Sequence, residues 1–296
     1  MKKYVAPLPS LFNERLHLDL EGLRILAERV SRLAMNRVDL VICDSIVGEQ
    51  FSLELGECLD IAEYLSRLNV GKVYLSITFN RLNDLVSMTR RKKVIDAIAY
   101  IVEIDEHILE NAYSFTLIVK SILHRLLPSN TTCIQIKGPI KRRFIEALRE
   151  SIRLIPEFNT IIIDCNSNTI ETVLRVLRIL VDVKRDFKIL CYGDMGLLLT
   201  QLPGLHGVIA PAITIAPEIF TRDQDLSSKA HKLMLFNRIY DYSKSVPGIL
   251  KLALNIIDDR FKPYVRPPLS TEPTYLREYV ESVLRTLGVE LKDAKG

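Results

Sequence analysis

The chain has 296 residues, 48% of them hydrophobic, with a mean hydropathy of +0.14 and a formal charge of +4. That suits one large domain with a full core, and a small charge of interspersed signs argues against a nucleic-acid groove. No apolar run is long enough to span a membrane, and Met1-Lys2-Lys3 runs into Tyr4-Val5-Ala6-Pro7 without a long apolar leader, so a cytoplasmic protein is expected. The five cysteines show no CxxC and no metal-like spacing. They read as small buried hydrophobes in a reducing compartment.

Short apolar runs alternate with longer amphipathic ones. Strands are expected near Tyr4–Leu8, Val38–Cys43, Lys72–Ile77, Ala97–Val102, Thr132–Ile136, Thr160–Asp164, Lys188–Cys191 and Gly207–Ala210. Between them lie helical patterns at Leu20–Leu33, Leu53–Leu68, Leu82–Arg91, Phe115–Leu126, Arg142–Ile155, Thr169–Val183 and Gly196–Leu202. Thr169 or Asn168 would cap the sixth of these. The basic run Arg90-Arg91-Lys92-Lys93 reads as a solvated helix end. After the eighth strand come helices at Asp225–Lys244, Val246–Ile257 and Glu272–Leu287, with Arg266-Pro267-Pro268 breaking the chain before the last.

Eight βα units imply parallel strands joined by right-handed crossovers, hence a closed (β/α)8 barrel with a C-terminal helical extension. The expected division is a barrel over 1–220 and C-terminal helices over 221–296 packed on it, as a single domain. In such barrels the active site lies at the carboxyl ends of the strands. Those ends offer Asp44, Ser45, Gly48 and Glu49; Thr78, Asn80 and Arg81; Glu103, Asp105, Glu106 and His107; Lys137-Gly138-Pro139; Asp164, Cys165 and Asn166; Tyr192 and Asp194; Pro211 and Thr214. The rim is acidic, with one lysine, one histidine and one tyrosine close by.

Several collinear segments carry a resemblance. Val5-Ala6-Pro7-Leu8-Pro9-Ser10-Leu11-Phe12 is similar to one family's opening strand. Val47-Gly48-Glu49-Gln50-Phe51-Ser52-Leu53 looks like the back half of its Gly-Thr-Thr-Gly-Glu motif and the Ser-Leu after it. Asn80-Arg81-Leu82-Asn83-Asp84, Tyr192-Gly193-Asp194, Gly207-Val208-Ile209-Ala210 with Ala216-Pro217-Glu218, and Tyr264-Val265-Arg266-Pro267-Pro268-Leu269 follow in order. Together they resemble the dihydrodipicolinate synthase and N-acetylneuraminate lyase family, most of all its archaeal 2-keto-3-deoxygluconate aldolases. The resemblance implies a barrel, carbon–carbon lyase or synthase chemistry without a cofactor, and a dimer or tetramer.

The family's functional residues do not carry over. Its Schiff-base lysine falls on Asp164, its proton-shuttling tyrosine on Ile136, and its paired carboxylate-binding threonines on Ile46 and Val47. A carboxylate cannot form an iminium, and isoleucine relays no proton. The first expectation is therefore a diverged member without aldolase or synthase activity. In it Asp164 pairs with Lys137 as a structural ion pair. Ser45, Gly48, Glu49, Tyr192 and Asp194 remain as the candidate substrate-binding residues. The alternative is an enzyme of altered chemistry on a small 2-oxo acid or sugar acid, using Lys137 and the acidic rim. Within it Lys137 and Asp164 are the catalytic candidates, and Asp164 with Glu103 or Asp44 is an alternative metal centre suited to Mg or Mn. A third reading keeps lyase activity with Lys137 as a relocated Schiff-base lysine. His107 reads as a loop residue, and Cys165 as a buried thiol.

Overall fold

A computed structural model describes residues 2–89, 99–105, 112–126, 132–155, 157–181, 183, 187–221 and 225–291. Eight strands form a closed barrel in the order β1 to β8. They are β1 (Lys3–Pro7), β2 (Val38–Ile42), β3 (Val73–Thr78), β4 (Ala99–Asp105), β5 (Thr132–Lys137), β6 (Thr160–Asp164), β7 (Lys188–Tyr192) and β8 (Gly207–Ile209). The helices are α1 (Leu20–Leu33), α2 (Leu55–Ser66), α3 (Leu82–Thr89), α4 (Ala112–Leu126), α5 (Arg142–Leu154), α6 (Ile170–Val181), α7 (Gly196–Leu199), α8 (Pro211–Ile215), α9 (Pro217–Phe220), α10 (Leu226–Asn237), α11 (Val246–Ile257) and α12 (Leu276–Leu287). Contacts group the chain into two compact units, Met1–Tyr4 with Tyr74–Ala210, and Val5–Val73 with Pro211–Gly296.

In the first unit the strands pair in parallel, and the register sorts their side chains onto two faces. One face is almost wholly apolar, with Ile104, Ile136, Ile163 and Cys191 in one row. It belongs against the helices, because polar side chains there would lose water without a partner. The other face carries Ser76, Glu103, Gln135, Lys137, Asp164 and Tyr192, and so lines the inside of the barrel. Phe115, Phe144, Phe158 and Phe187 meet edge to face and knit helices to strands.

Most expected elements are in place with ends shifted by a few residues. Three differ further. The expected helix Asp225–Lys244 is α10 followed by a 3-10 turn, Arg238–Tyr240, with Asp225 as the cap accepting from the Ser228 N–H at 2.8 Å. The expected start at Glu272 moves to Leu276, since Pro273 disfavours helix at the residue before it. Glu272 instead accepts from Ser243 Oγ and the N–H groups of Lys244 and Ser245, at 3.0–3.1 Å, and so holds the entry to α11. Helix α7 stops at Leu199, short of the expected Leu202.

The cysteine expectation needs one correction. Cys165 and Cys191 are joined by a disulfide, with their Cα atoms 5.5 Å apart. They lie 26 residues apart in sequence, and only the β6–β7 pairing brings them within reach. Cys43, Cys58 and Cys133 are buried, as expected, and not in a disulfide. Among the described residues no helix is long and apolar enough to cross a membrane. Arg90-Arg91-Lys92-Lys93, Glu106 and His107 lie outside the described residues.

Candidate functional site

At the carboxyl ends of β4 and β5, the Glu103 carboxylate is buried and accepts from Ser76 Oγ at 2.7 Å. Lys137 stands 3.6 Å from Glu103 and 4.0 Å from Asp105, and keeps about a quarter of its side-chain surface exposed. The expected Lys137–Asp164 pair is not made. Asp164 turns its carboxylate back into its own loop. Its Oδ1 accepts the N–H groups of Asn166 (3.0 Å) and Ser167 (3.2 Å), and its Oδ2 the Ser167 hydroxyl (2.5 Å). A short loop after a strand presents these donors at once, whereas a lysine must extend from the next strand and already has two carboxylates at hand.

Asp164 and Glu103, the alternative metal pair, each accept hydrogen bonds from other groups. Among the described residues no group of three or more His, Cys, Asp and Glu side chains could hold a metal. Of the two cap candidates Thr169 caps α6, through the Thr172 N–H. Asn168 ties the ends of β5 and β6 together instead. Its Oδ1 accepts from the Ile140 N–H at 2.7 Å, and its Nδ2 donates to the carbonyls of Gly138 and Asp164. Ile136, matched to the family's tyrosine by sequence, lies on the helix-facing side. Lys137, one residue on, falls on the inner face, in register with Asp105.

In the second unit the loop after β2 is closed on itself. Asp44 is buried, and its Oδ1 accepts the N–H groups of Ile46 (2.8 Å), Val47 (2.5 Å) and Gly48 (3.2 Å). These positions include both that the family fills with threonine. Gly48 is required by crowding, since a Cβ there would sit 2.5–2.7 Å from backbone atoms of Cys43 and Asp44. Its carbonyl accepts from Ser10 Oγ, and Gln50 Nε2 reaches back to the Cys43 carbonyl. Cys43 and Glu49 both hold positive φ, near 54°, so the packing around the loop imposes its shape.

Glu49, a substrate-binding candidate by sequence, has a different place. It is fully buried and paired at 2.6 Å with Lys251 of α11, also fully buried. Lys251 donates to the Tyr264 carbonyl at 2.8 Å and lies 4.3 Å over the Phe12 ring. Arg266 stacks on the same ring and forks onto both carboxylate oxygens of Glu57 at 2.8 Å. Burial pulls the Lys251 ammonium down to about 8 against the pull of Glu49, and pushes the Glu49 carboxyl above the usual carboxylate range. Glu49 Oε1 has no hydrogen-bond partner. This cluster was missed by sequence reasoning. The signal was one lysine inside the apolar run Ile249-Leu250-Lys251-Leu252-Ala253-Leu254, a charge that must be buried and paired. Of the remaining candidates, Tyr192 and Asp194 are buried and Ser45 is half-buried.

No family model matches the chain. A protein of Thermofilum pendens described as an uncharacterized DapA-like lyase is 24% identical over 97% of both chains. Two solved structures have the same fold over nearly the whole chain. YagE of Escherichia coli K12 is a prophage protein of the dihydrodipicolinic acid synthase family, seen in complex with pyruvate. It gives a TM-score of 0.81 at 15% identity, covering 98% of this chain and 99% of its own. N-acetylneuraminate lyase of Aliivibrio salmonicida gives 0.79 at 16% identity, over 99% and 98%. Fold and likeness define the class first, a closed (β/α)8 barrel. In sequence the chain is similar to proteins described as DapA-like lyases, and it shares the fold of solved dihydrodipicolinate synthases and N-acetylneuraminate lyases.

Proposed function

We propose that this chain is a diverged family member that has lost Schiff-base aldolase and synthase chemistry. The observation that carries the reading is the Asp44 carboxylate, bonded to the N–H groups of Ile46, Val47 and Gly48. In the family these positions serve a substrate carboxylate. Here the loop's donors already hold the protein's own, and an incoming 2-oxo acid would have to displace it from a buried site. Asp164, where the family's amine falls, offers no nucleophile for an iminium. Incubation with pyruvate and borohydride tests this. The intact mass should stay unchanged after reduction, and a stable adduct on any lysine would sink the reading.

The runner-up is an enzyme of altered chemistry on a small 2-oxo acid or sugar acid. It is favoured by Lys137, which stands on the inner face within 4.0 Å of two carboxylates. An adduct mapped to Lys137 would establish that amine as the relocated centre. A homo-oligomer, dimer or tetramer, goes with either reading. Light scattering should then give a mass of two or four chains, and a monomer would overturn this part.

A further inference from the structure

A cleft of about 790 Å³ opens in the second unit beside the C-terminal half of α1 and the end of α11. Its lining residues Asn36 and Asn69 lie two residues before β2 and four before β3, so it sits toward the amino ends of those strands. Barrel chemistry belongs to the opposite ends. Nothing in the reading above uses this cleft.

Four arginines line it: Arg24, Arg29, Arg32 and Arg260. Two are neutralised in place. Arg24 pairs with Glu21 and Glu28, and Arg260 forks onto Asp258 at 2.6–3.0 Å. The other two make no ion pair among the described residues. Arg29 donates both Nη groups to one acceptor, the Ile215 carbonyl, at 3.2 Å each. That carbonyl carries no charge, and the Nε–H and outer N–H groups are left over. Burial lowers the affinity of Arg29 for its proton; Glu218 and Asp258 oppose this from beyond ion-pair contact. Arg32 is exposed in the last turn of α1. The helix dipole favours a cation there, but supplies only a few tenths to about 1 kcal/mol. Asn36 Oδ1 is taken by Ser31 Oγ at 2.7 Å, which leaves its amide N–H groups to donate. The one remaining acid on the wall is Glu290.

After internal pairing the cleft therefore holds two guanidiniums, amide donors, Glu290 and the second of the two carboxylates on Arg24. We propose that it binds a small phosphate monoester, with the phosphate between Arg29 and Arg32, as an effector site apart from the strand ends. A dianion matches two guanidiniums in charge, and the planar guanidinium fork matches phosphate oxygens in geometry. The volume lies within the range of small-molecule sites, roughly 300–1,000 Å³.

Calorimetric titration of the full chain tests this, with inorganic phosphate and ribose 5-phosphate as probes and chloride matched for ionic strength. Both probes should bind saturably, the ester more tightly. R32Q changes an exposed side chain and should keep the fold while weakening both about tenfold, the loss of one charge-assisted contact. R29K, which keeps a donor for Ile215 but loses the fork, should weaken both as well. R24Q alters an arginine already paired on the same wall and should change affinity less than about twofold. Absence of saturable phosphate binding to the unaltered protein overturns the proposal. So does an affinity indifferent to R32Q, or succinate binding as well as phosphate.

Discussion

Replacing Lys251 by methionine is expected to lower the stability of the fold by about 3–5 kcal/mol. The shape is nearly kept, but Glu49 is left as a fully buried carboxylate whose Oε1 already lacks a partner. Arg266 acts on it only at longer range, being bonded to Glu57. The double variant E49Q/K251M removes both charges and should recover most of the loss, because replacing a buried ion pair outright is often close to neutral. Urea unfolding of both variants reads this. Equal losses in the single and the double variant would mean that the ion pair is not what holds α11 to the loop after β2.

The same pair sets a pH dependence with a definite sign. Lys251 holds its proton less tightly in the fold, to about 8, than in the unfolded chain. Between pH 8 and the ordinary lysine value the unfolded state binds more protons. This group's contribution to stability therefore rises with pH through that window, and is level below it. Glu49 is shifted the other way, upward, so its contribution falls as pH rises above the ordinary carboxylate value. Unfolding free energies at pH 7.5 and 10 should show a more positive slope for the unaltered chain than for E49Q/K251M. An identical slope would count against desolvation as the dominant influence on Lys251.

Asp44→Ala should be the other severe change, costing about 3 kcal/mol, because three N–H groups, those of Val47 and Gly48 buried, lose one charged acceptor. For a large domain this is a fall in melting temperature on the order of 6–12 °C. A more pointed result is expected on adding a small carboxylate. Acetate or pyruvate at high concentration should raise the melting temperature of the variant and leave the unaltered chain where it was. The emptied loop would then be holding a free carboxylate in place of Asp44, the role its counterpart has in the family. A variant that melts like the unaltered protein, or that ignores added carboxylate, would remove the support this loop lends to the proposed loss of activity.

The candidate site was legible in part. Asp164 was placed at the end of β6 by its apolar run, and it is there. Its partner was misjudged, because a turn two residues away outcompetes a lysine on the neighbouring strand, and sequence carries no distance between the two. Ile136 was matched to the family's tyrosine. A shift of one position along a strand reverses the face, and pairing puts Lys137 on the inside instead. Glu49 kept the family's letter while serving as half of a buried pair with a lysine 202 positions away.

What the sequence determined by itself is the barrel. Alternating short apolar and longer amphipathic runs leave few other ways to bury both faces of eight strands, and that pattern is local. The tertiary structure alone decided the pairings: Cys165 with Cys191, Lys251 with Glu49, Lys137 with Glu103, and Asp44 with its own loop. The physical reason is range. Hydrophobic periodicity reports on neighbours a few residues away, whereas a hydrogen bond or ion pair requires atoms within about 3–4 Å, a condition met only after distant strands and helices are set side by side.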